Sequence, residues 1–327
     1  MSFKELLIRK ASIFSLAVVM SMPALAEITV DENTKLNKPE STQTYTAAEI
    51  RDILNRAQQM DPAAQYELGE LYYYGNGVAQ NYQKAIEWYE KAANQGFLQA
   101  KVDLGFIYYY GYDGDYGIDY DKALEWTFSA ADQKDNDALY LLGEMYYEGK
   151  AVPRDYDEAA KWLRVAAEKG HADAQLSLGY MYDQGKGVYE DKREAFSWYQ
   201  KAAVQGNSTA QYNLGVFYEE GEAVEQNYKK AIEWYTKAAE QGYDMAQNNL
   251  GVIYYNGEYA RQDYKKAFDY YMMAAEQGNE IAQDNLAGMY YYGEGVAQNI
   301  EQAKEWYGKS CDNGYKEACE IYRELID

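Results

Sequence analysis

The sequence predicts an all-α fold, a solenoid of seven helix pairs with a capping helix at each end, and three observations predict it. The first is a Leu followed by Gly, once by Ala, at Leu68, Leu104, Leu142, Leu178, Leu214, Leu250 and Leu286, in steps of 36 residues with one step of 38. A fixed period of that size marks helix pairs too small to bury their apolar faces alone, which therefore stack on their neighbours. The second is helical spacing inside each period. In the unit that best typifies the chain, Ala210 to Gly242, one stripe holds Ala210, Leu214, Phe217 and Tyr218 and the next holds Tyr228, Ala231, Tyr235, Ala238 and Ala239. The third is a glycine at the end of each stripe, Gly221 and Gly242, where the left-handed cap conformation carries no steric cost.

Written out, the unit is A-x-x-x-L-G-x-φ-Y-x-x-G followed by A-x-x-W-Y-x-x-A-A-x-x-G. The pattern resembles the Sel1-like repeat family, a relative of the tetratricopeptide repeats, from about Asp61 to the C-terminus. Departures are Lys134 at a closing Gly, Lys192 at the Tyr that opens a second helix, Ala287 for Gly and Tyr270 for Trp. The resemblance implies a right-handed α-solenoid whose concave face binds other molecules.

In chain order, residues 1–26 read as a secretory signal peptide: Lys4, Arg9 and Lys10 precede an apolar run from Ala11 to Pro23, and Ala24-Leu25-Ala26 offers a cleavage site after Ala26. The run is shorter than the ~20 residues of a spanning helix. An exported protein, periplasmic in a Gram-negative bacterium, is expected. Residues 27–45 are polar, lack helical periodicity and contain Pro39, which predicts a flexible lead-in. Thr46-Ala47-Ala48-Glu49 forms a capping box that opens a capping helix over 46–60. The repeats are expected at 61–96, 97–134, 135–170, 171–206, 207–242, 243–278 and 279–314, and residues 315–327 supply a closing helix.

The formal charge is −22, and −24 once the signal peptide is removed with its three basic residues and Glu5. Such a field repels nucleic acid and anionic lipid and attracts basic partners. Catalytic apparatus is sparse. The sole histidine, His171, lies in a turn where other units carry Asn207 or Asn279, and one His with two Cys cannot build a usual zinc site. Gly308-Lys309-Ser310 imitates the end of a phosphate-binding loop, but Ala303 stands where its first Gly belongs. Four acids in residues 111–121 invite a calcium reading, yet the spacing puts Gly117 and Ile118 at the wrong places and a solvated loop is expected. Six tryptophans, Trp88, Trp126, Trp162, Trp198, Trp234 and Trp306, share one register of the second helix and are expected in the core. No cofactor and no metal are called for.

Residues between the buried stripe of the first helix should line the concave face, as the resemblance to tetratricopeptide superhelices implies. They are Tyr66, Glu67, Glu70, Tyr73 and Tyr74; Val102, Asp103, Phe106, Tyr109 and Tyr110; Tyr140, Glu144, Tyr147 and Glu148; Tyr212, Asn213, Glu219 and Glu220; Asn248, Asn249, Tyr255 and Asn256; and Asp284, Asn285, Tyr291 and Tyr292. The groove is thus tyrosine-rich and acidic, and tyrosine is a favoured binding hot spot. The expected function is a non-enzymatic, monomeric solenoid that holds a protein or peptide, one with a basic segment being the natural partner, as an envelope scaffold or an immunity-type protein. The alternative is a β-lactam-hydrolysing or peptidoglycan-active enzyme, by analogy with cysteine-rich relatives. Those relatives also imply a disulfide between Cys311 and Cys319, eight residues apart, and Gly314 turns the chain between the two helices that carry them.

Overall fold

The computed structural model describes residues 45–112 and 117–326, so the signal-peptide reading and most of the lead-in lie outside the described residues. Among them are sixteen helices and no strand, an all-α solenoid of helix pairs. Two compact units divide at residues 191 and 192. Unit 45–191 holds α1 (Ala47–Gln58), α2 (Pro62–Tyr74), α3 (Tyr82–Asn94), α4 (Leu98–Tyr110), α5 (Tyr120–Ala131), α6 (Asn136–Glu148), α7 (Tyr156–Glu168) and α8 (Ala172–Gln184). Unit 192–326 holds α9 (Lys192–Val204), α10 (Ser208–Glu220), α11 (Tyr228–Glu240), α12 (Asp244–Asn256), α13 (Tyr264–Glu276), α14 (Glu280–Tyr292), α15 (Ile300–Asp312) and α16 (Lys316–Ile326). Within each unit every helix packs on the next.

Caps fix where these helices begin. Thr46 Oγ1 accepts from the Glu49 N–H while the Glu49 carboxylate accepts from the Thr46 N–H, so two otherwise orphaned donors at the start of α1 are satisfied. Second helices open on Asn81, Asp119, Asp155, Asn227, Asp263 or Asn299, each accepting from a backbone N–H of the first turn. At the closing position where other repeats carry Gly, Lys134 is held at φ 62°, a left-handed conformation that costs a β-carbon residue about 1 kcal/mol.

The core differs from the sequence expectation in one register. Of the six tryptophans only Trp198 and Trp306 are buried; Trp88, Trp126, Trp162 and Trp234 are half-buried. The fully enclosed residue is the one that follows: Tyr89, Tyr199, Tyr235, Tyr271 and Tyr307, with Leu163 and Thr127 in the same place. Where the Leu-Gly pair is intact the cause is its Gly; in the last repeat, with Ala287, Tyr307 is enclosed without it. A Cβ at Gly215 would come within 2.4 Å of the Tyr235 ring, and one at Gly251 within 2.5 Å of the Tyr271 ring, so the missing side chain is the slot that receives the tyrosine. One residue back along the helix, the indole turns about 100° away and lies under a lysine: Lys91, Lys201, Lys237 and Lys309 sit over Trp88, Trp198, Trp234 and Trp306.

Buried glutamines stitch each helix to the one before. The amides of Gln65, Gln175, Gln211, Gln247 and Gln283 donate to the carbonyls of Ala57, Ala167, Ala203, Ala239 and Ala275, eight residues earlier in every case. At the C-terminal end Ala318 and Ile321 bury one face of α16 against α15, and Cys311 and Cys319 are joined in a disulfide across that junction, their Cα atoms 4.6 Å apart.

Candidate functional site

Within each unit, first helices carry polar side chains that bond to the first helix of a neighbouring repeat or to the turn that follows it. In unit 45–191 the Tyr66 hydroxyl donates to Asp103 (2.9 Å), Tyr109 donates to Glu148 (3.0 Å) and Ser177 donates to Glu144 (3.0 Å). In unit 192–326 Tyr255 donates to Glu294 (2.7 Å) and Asn285 donates to Asn248 (3.1 Å). Tyr255 and Tyr109 share one repeat register, and each bonds a carboxylate 39 residues on. These bonds define a face in each unit on which first helices meet.

Ring packing orders the same register. Tyr73, Tyr109, Tyr147 and Tyr255 each pack on the tyrosine that opens the second helix of their own repeat, Tyr82, Tyr120, Tyr156 and Tyr264, at 5.1 to 5.7 Å between ring centres. Tyr74 and Tyr292 meet Tyr73 and Tyr291 edge-on, and Tyr292 is 48% exposed. Tyr66 packs between Tyr89 and Phe97, and Tyr212 between Tyr235 and Tyr243. Glu219 accepts from the Tyr235 hydroxyl. Tyr66, Glu70, Tyr73, Tyr74, Phe106, Tyr110, Tyr147, Tyr212, Glu219, Tyr255 and Tyr291 are all partly exposed.

Nine residues expected on the groove surface are instead interior: Val102, Asp103, Asn213, Asn248, Asp284 and Asn285 are buried, Tyr109 and Tyr140 are each 2% exposed and Glu144 is 1% exposed. Tyr109 is enclosed by Tyr110 and Tyr120 and tied to Glu148; Tyr140 is covered by the imidazole of His171, which stacks on it at 4.5 Å; Glu144 lies beneath Ser177. His171 itself is a helix cap. Its Nδ1 accepts from the Ala174 N–H, so Nε2 carries the proton that faces Asp137 at 3.2 Å.

Burial distorts the acid–base behaviour of this face. Desolvation raises the Asp103 carboxyl to about 7 in spite of hydrogen bonds from Gln99 and Tyr66, and raises Glu144 to about 8 in spite of Ser177. Burial raises Glu70 too, with Glu67 adding to the effect, and pushes Tyr73 up to about 12.

The sequence reading passed over the fourth repeat, whose first helix lacks the Tyr pair. Lys186 there donates to the hydroxyls of Tyr147 (2.9 Å) and Tyr180 (3.2 Å), and its ammonium sits among the rings of Tyr147, Tyr156 and Tyr180 at 4.9 to 5.7 Å from their centres. A lysine in place of Asn76, between two glycines, was the available signal. Among the described residues no group of three or more His, Cys, Asp or Glu is placed to hold a metal ion. Four residues of the acidic loop, 113–116, lie outside the described ones.

Stacked helix pairs whose polar ladder runs along the first helices define a repeat scaffold of the protein-interaction type. The Sel1 repeat matches at residues 62–97, 98–135, 136–171, 172–207, 208–243, 244–279 and 281–315, and the chain belongs to the Sel1 repeat family. A search of curated proteins returns no match. Among solved structures the chain is similar to c5321, a protective antigen present in uropathogenic Escherichia coli strains that displays the same repeat fold, with 34% identity, a TM-score of 0.70, 85% of this chain covered and 64% of that one. The chain thus spans less than two thirds of that protein's length. It is also similar to a Sel1 repeat protein from Oxalobacter formigenes, with 32% identity, a TM-score of 0.69 and coverage of 85% and 80%. The immunity protein Pa5087 from Pseudomonas aeruginosa matches at 26% identity over 66% of this chain and 81% of that one, but at a TM-score of 0.44 the likeness bears on nothing further.

Proposed function

We propose that the protein is a non-enzymatic binding scaffold of the bacterial envelope that holds a protein or peptide segment rich in basic side chains along its first-helix face. The observation that carries this reading is the composition of the face: partly exposed tyrosines, each backed by a second ring, alternate with carboxylates in a chain whose formal charge is −22. Tyrosines held rigid by neighbouring rings offer contact area at little entropic cost, and the surrounding acid favours a cationic partner. Residues that imitate catalytic machinery are engaged elsewhere. His171 caps α8, and Gly308 to Ser310 lie inside α15, where Lys309 pairs with Glu305 and Ser310 donates to the Glu280 carbonyl. Export is supported by the signal-like residues 1–26 and by the disulfide, which suits an oxidising compartment; no described helix is long and apolar enough to cross a membrane.

The test compares two double charge reversals of equal net charge. Glu70→Lys with Glu220→Lys alters the first-helix face; Glu87→Lys with Glu233→Lys alters exposed positions of second helices. Immobilised on resin and incubated with periplasmic extract, the wild type and the second-helix variant should retain the same partner and the first-helix variant should lose it. Equal loss in both variants, or retention in both, refutes the assignment of the face.

A further inference from the structure

One tyrosine register runs through all seven repeats: Tyr72, Tyr108, Tyr146, Tyr182, Tyr218, Tyr254 and Tyr290. Five of these rings lie under a cation that the chain itself supplies, 3.9 to 5.4 Å from the ring centre. Lys84, Lys122, Lys230 and Lys266, from the second helix of the same repeat, cover Tyr72, Tyr108, Tyr218 and Tyr254. Arg164, from the second helix of the preceding repeat, covers Tyr182 and donates to its hydroxyl at 2.7 Å. Phe268 packs edge-on against Tyr290. Among the described residues Tyr146 has no cation and no ring over it. Glu158 stands at the lysine position and is paired with Lys161 at 2.6 Å; Phe128 stands at the arginine position and is 57% exposed.

Tyr146 lines a groove of about 490 Å³ formed by α5, α6 and the turn after α6. Leu124, Phe128 and Val152 give it apolar walls, Asp121 and Glu125 stand on its α5 side, and no residue that lines it is buried, so it is open to water. Neither carboxylate has an ion-pair partner among the described residues. Cations carried on the same elements are engaged elsewhere: Lys122 with Glu90 and the Tyr108 hydroxyl, Arg154 with the Glu148 carbonyl. We propose that this groove receives an arginine side chain of a partner protein, which does for Tyr146 what Arg164 does for Tyr182. The guanidinium face lies on the Tyr146 and Phe128 rings, its N–H fork meets the carboxylates of Asp121 and Glu125, and its methylenes run along Leu124 and Val152. A lysine ammonium, a hydrated point charge, cannot stack on a ring and grip a carboxylate bidentately at once. The groove lies apart from the carboxylates of the first-helix face, and the inference stands without that reading.

The probe is the tripeptide acetyl-Ala-Arg-Ala-amide, titrated into the full chain and followed by saturation-transfer NMR. The citrulline peptide is its uncharged isostere, the lysine peptide its point-charge counterpart, and agmatine a free guanidine. The arginine peptide should bind about tenfold more tightly than the citrulline peptide and several-fold more tightly than the lysine peptide. Phe128→Arg, which supplies the missing cation from the chain, should abolish binding, and Asp121→Asn with Glu125→Gln should weaken it about tenfold. Glu87→Gln with Glu233→Gln removes the same charge from exposed positions of other second helices and should leave binding unchanged. All five substituted side chains are exposed, and wild-type circular dichroism is expected throughout. Equal binding of the citrulline peptide, full affinity in Phe128→Arg or in the Asp121 and Glu125 variant, equal loss in the Glu87 and Glu233 variant, or no binding of the arginine peptide each overturns the proposal. Equal binding of the lysine peptide overturns the choice of arginine, and binding of agmatine alone overturns the protein source of the guanidinium.

Discussion

Replacing Glu144 with Gln should make the protein more stable at neutral and alkaline pH. The carboxyl is raised from its ordinary 4.5 to about 8, with desolvation the leading cause. Since the folded-state value lies above the unfolded one, the folded protein keeps a proton that the unfolded chain releases. The stability this group contributes is therefore fully present below pH 4.5, declines as pH rises, and is gone above about 8. Each unit of pH between those limits removes about 1.4 kcal/mol, so by pH 7 the wild type should have lost about 3 kcal/mol through this residue. The amide of Gln still accepts from Ser177 and does not titrate. Urea unfolding followed by tryptophan fluorescence at pH 5, 7 and 8.5 measures the difference, and Asp103, which is raised in the same direction, is present in both proteins and cancels. Parallel pH profiles, or a variant less stable than wild type at pH 8.5, would show that Glu144 is not held neutral by burial.

Tyr235→Ala should destabilise by about 3–5 kcal/mol, whereas Trp234→Ala should cost only about 1–2 kcal/mol, because Tyr235 fills the slot at Gly215 and Trp234 is half-buried beneath Lys237; hydrogen exchange should place the Tyr235 damage in α10 to α13 first. Gly251→Ala should cost about 1–3 kcal/mol in urea unfolding, since its Cβ meets the Tyr271 ring at 2.5 Å. Lys134→Gly should stabilise by up to about 1 kcal/mol in the same assay, by relieving a left-handed conformation at φ 62°. Cys311→Ser should lower stability by roughly 2–3 kcal/mol and speed amide exchange in α16; alkylation of two thiols in wild-type protein taken from the periplasm would show that the bridge does not form.

The period, the helix pairs and the caps were legible because each is written locally: Leu-Gly, Asn or Asp before a helix, and Gly after it. The tryptophan register was misjudged because repetition alone cannot separate a residue inside the stack from one on its rim. The decision belongs to the glycine of the facing helix, which selects the ring one position later. Tyr140 and Glu144 went from expected groove lining to interior for a similar reason, since their covers, His171 and Ser177, sit 31 and 33 residues away in sequence and other repeats carry different residues there. Tyr73, Tyr147 and Tyr255 remain partly exposed and Tyr292 is 48% exposed.

Site-specific photocross-linking in cells tests the binding face most directly. A benzophenone amino acid is placed at Tyr74 or Tyr292 on first helices, and at Val165 or Met273, exposed positions of second helices. Adducts to one partner at Tyr74 and Tyr292, with none at Val165 and Met273, are the expected result. Adducts at the second-helix positions alone would contradict a first-helix binding face.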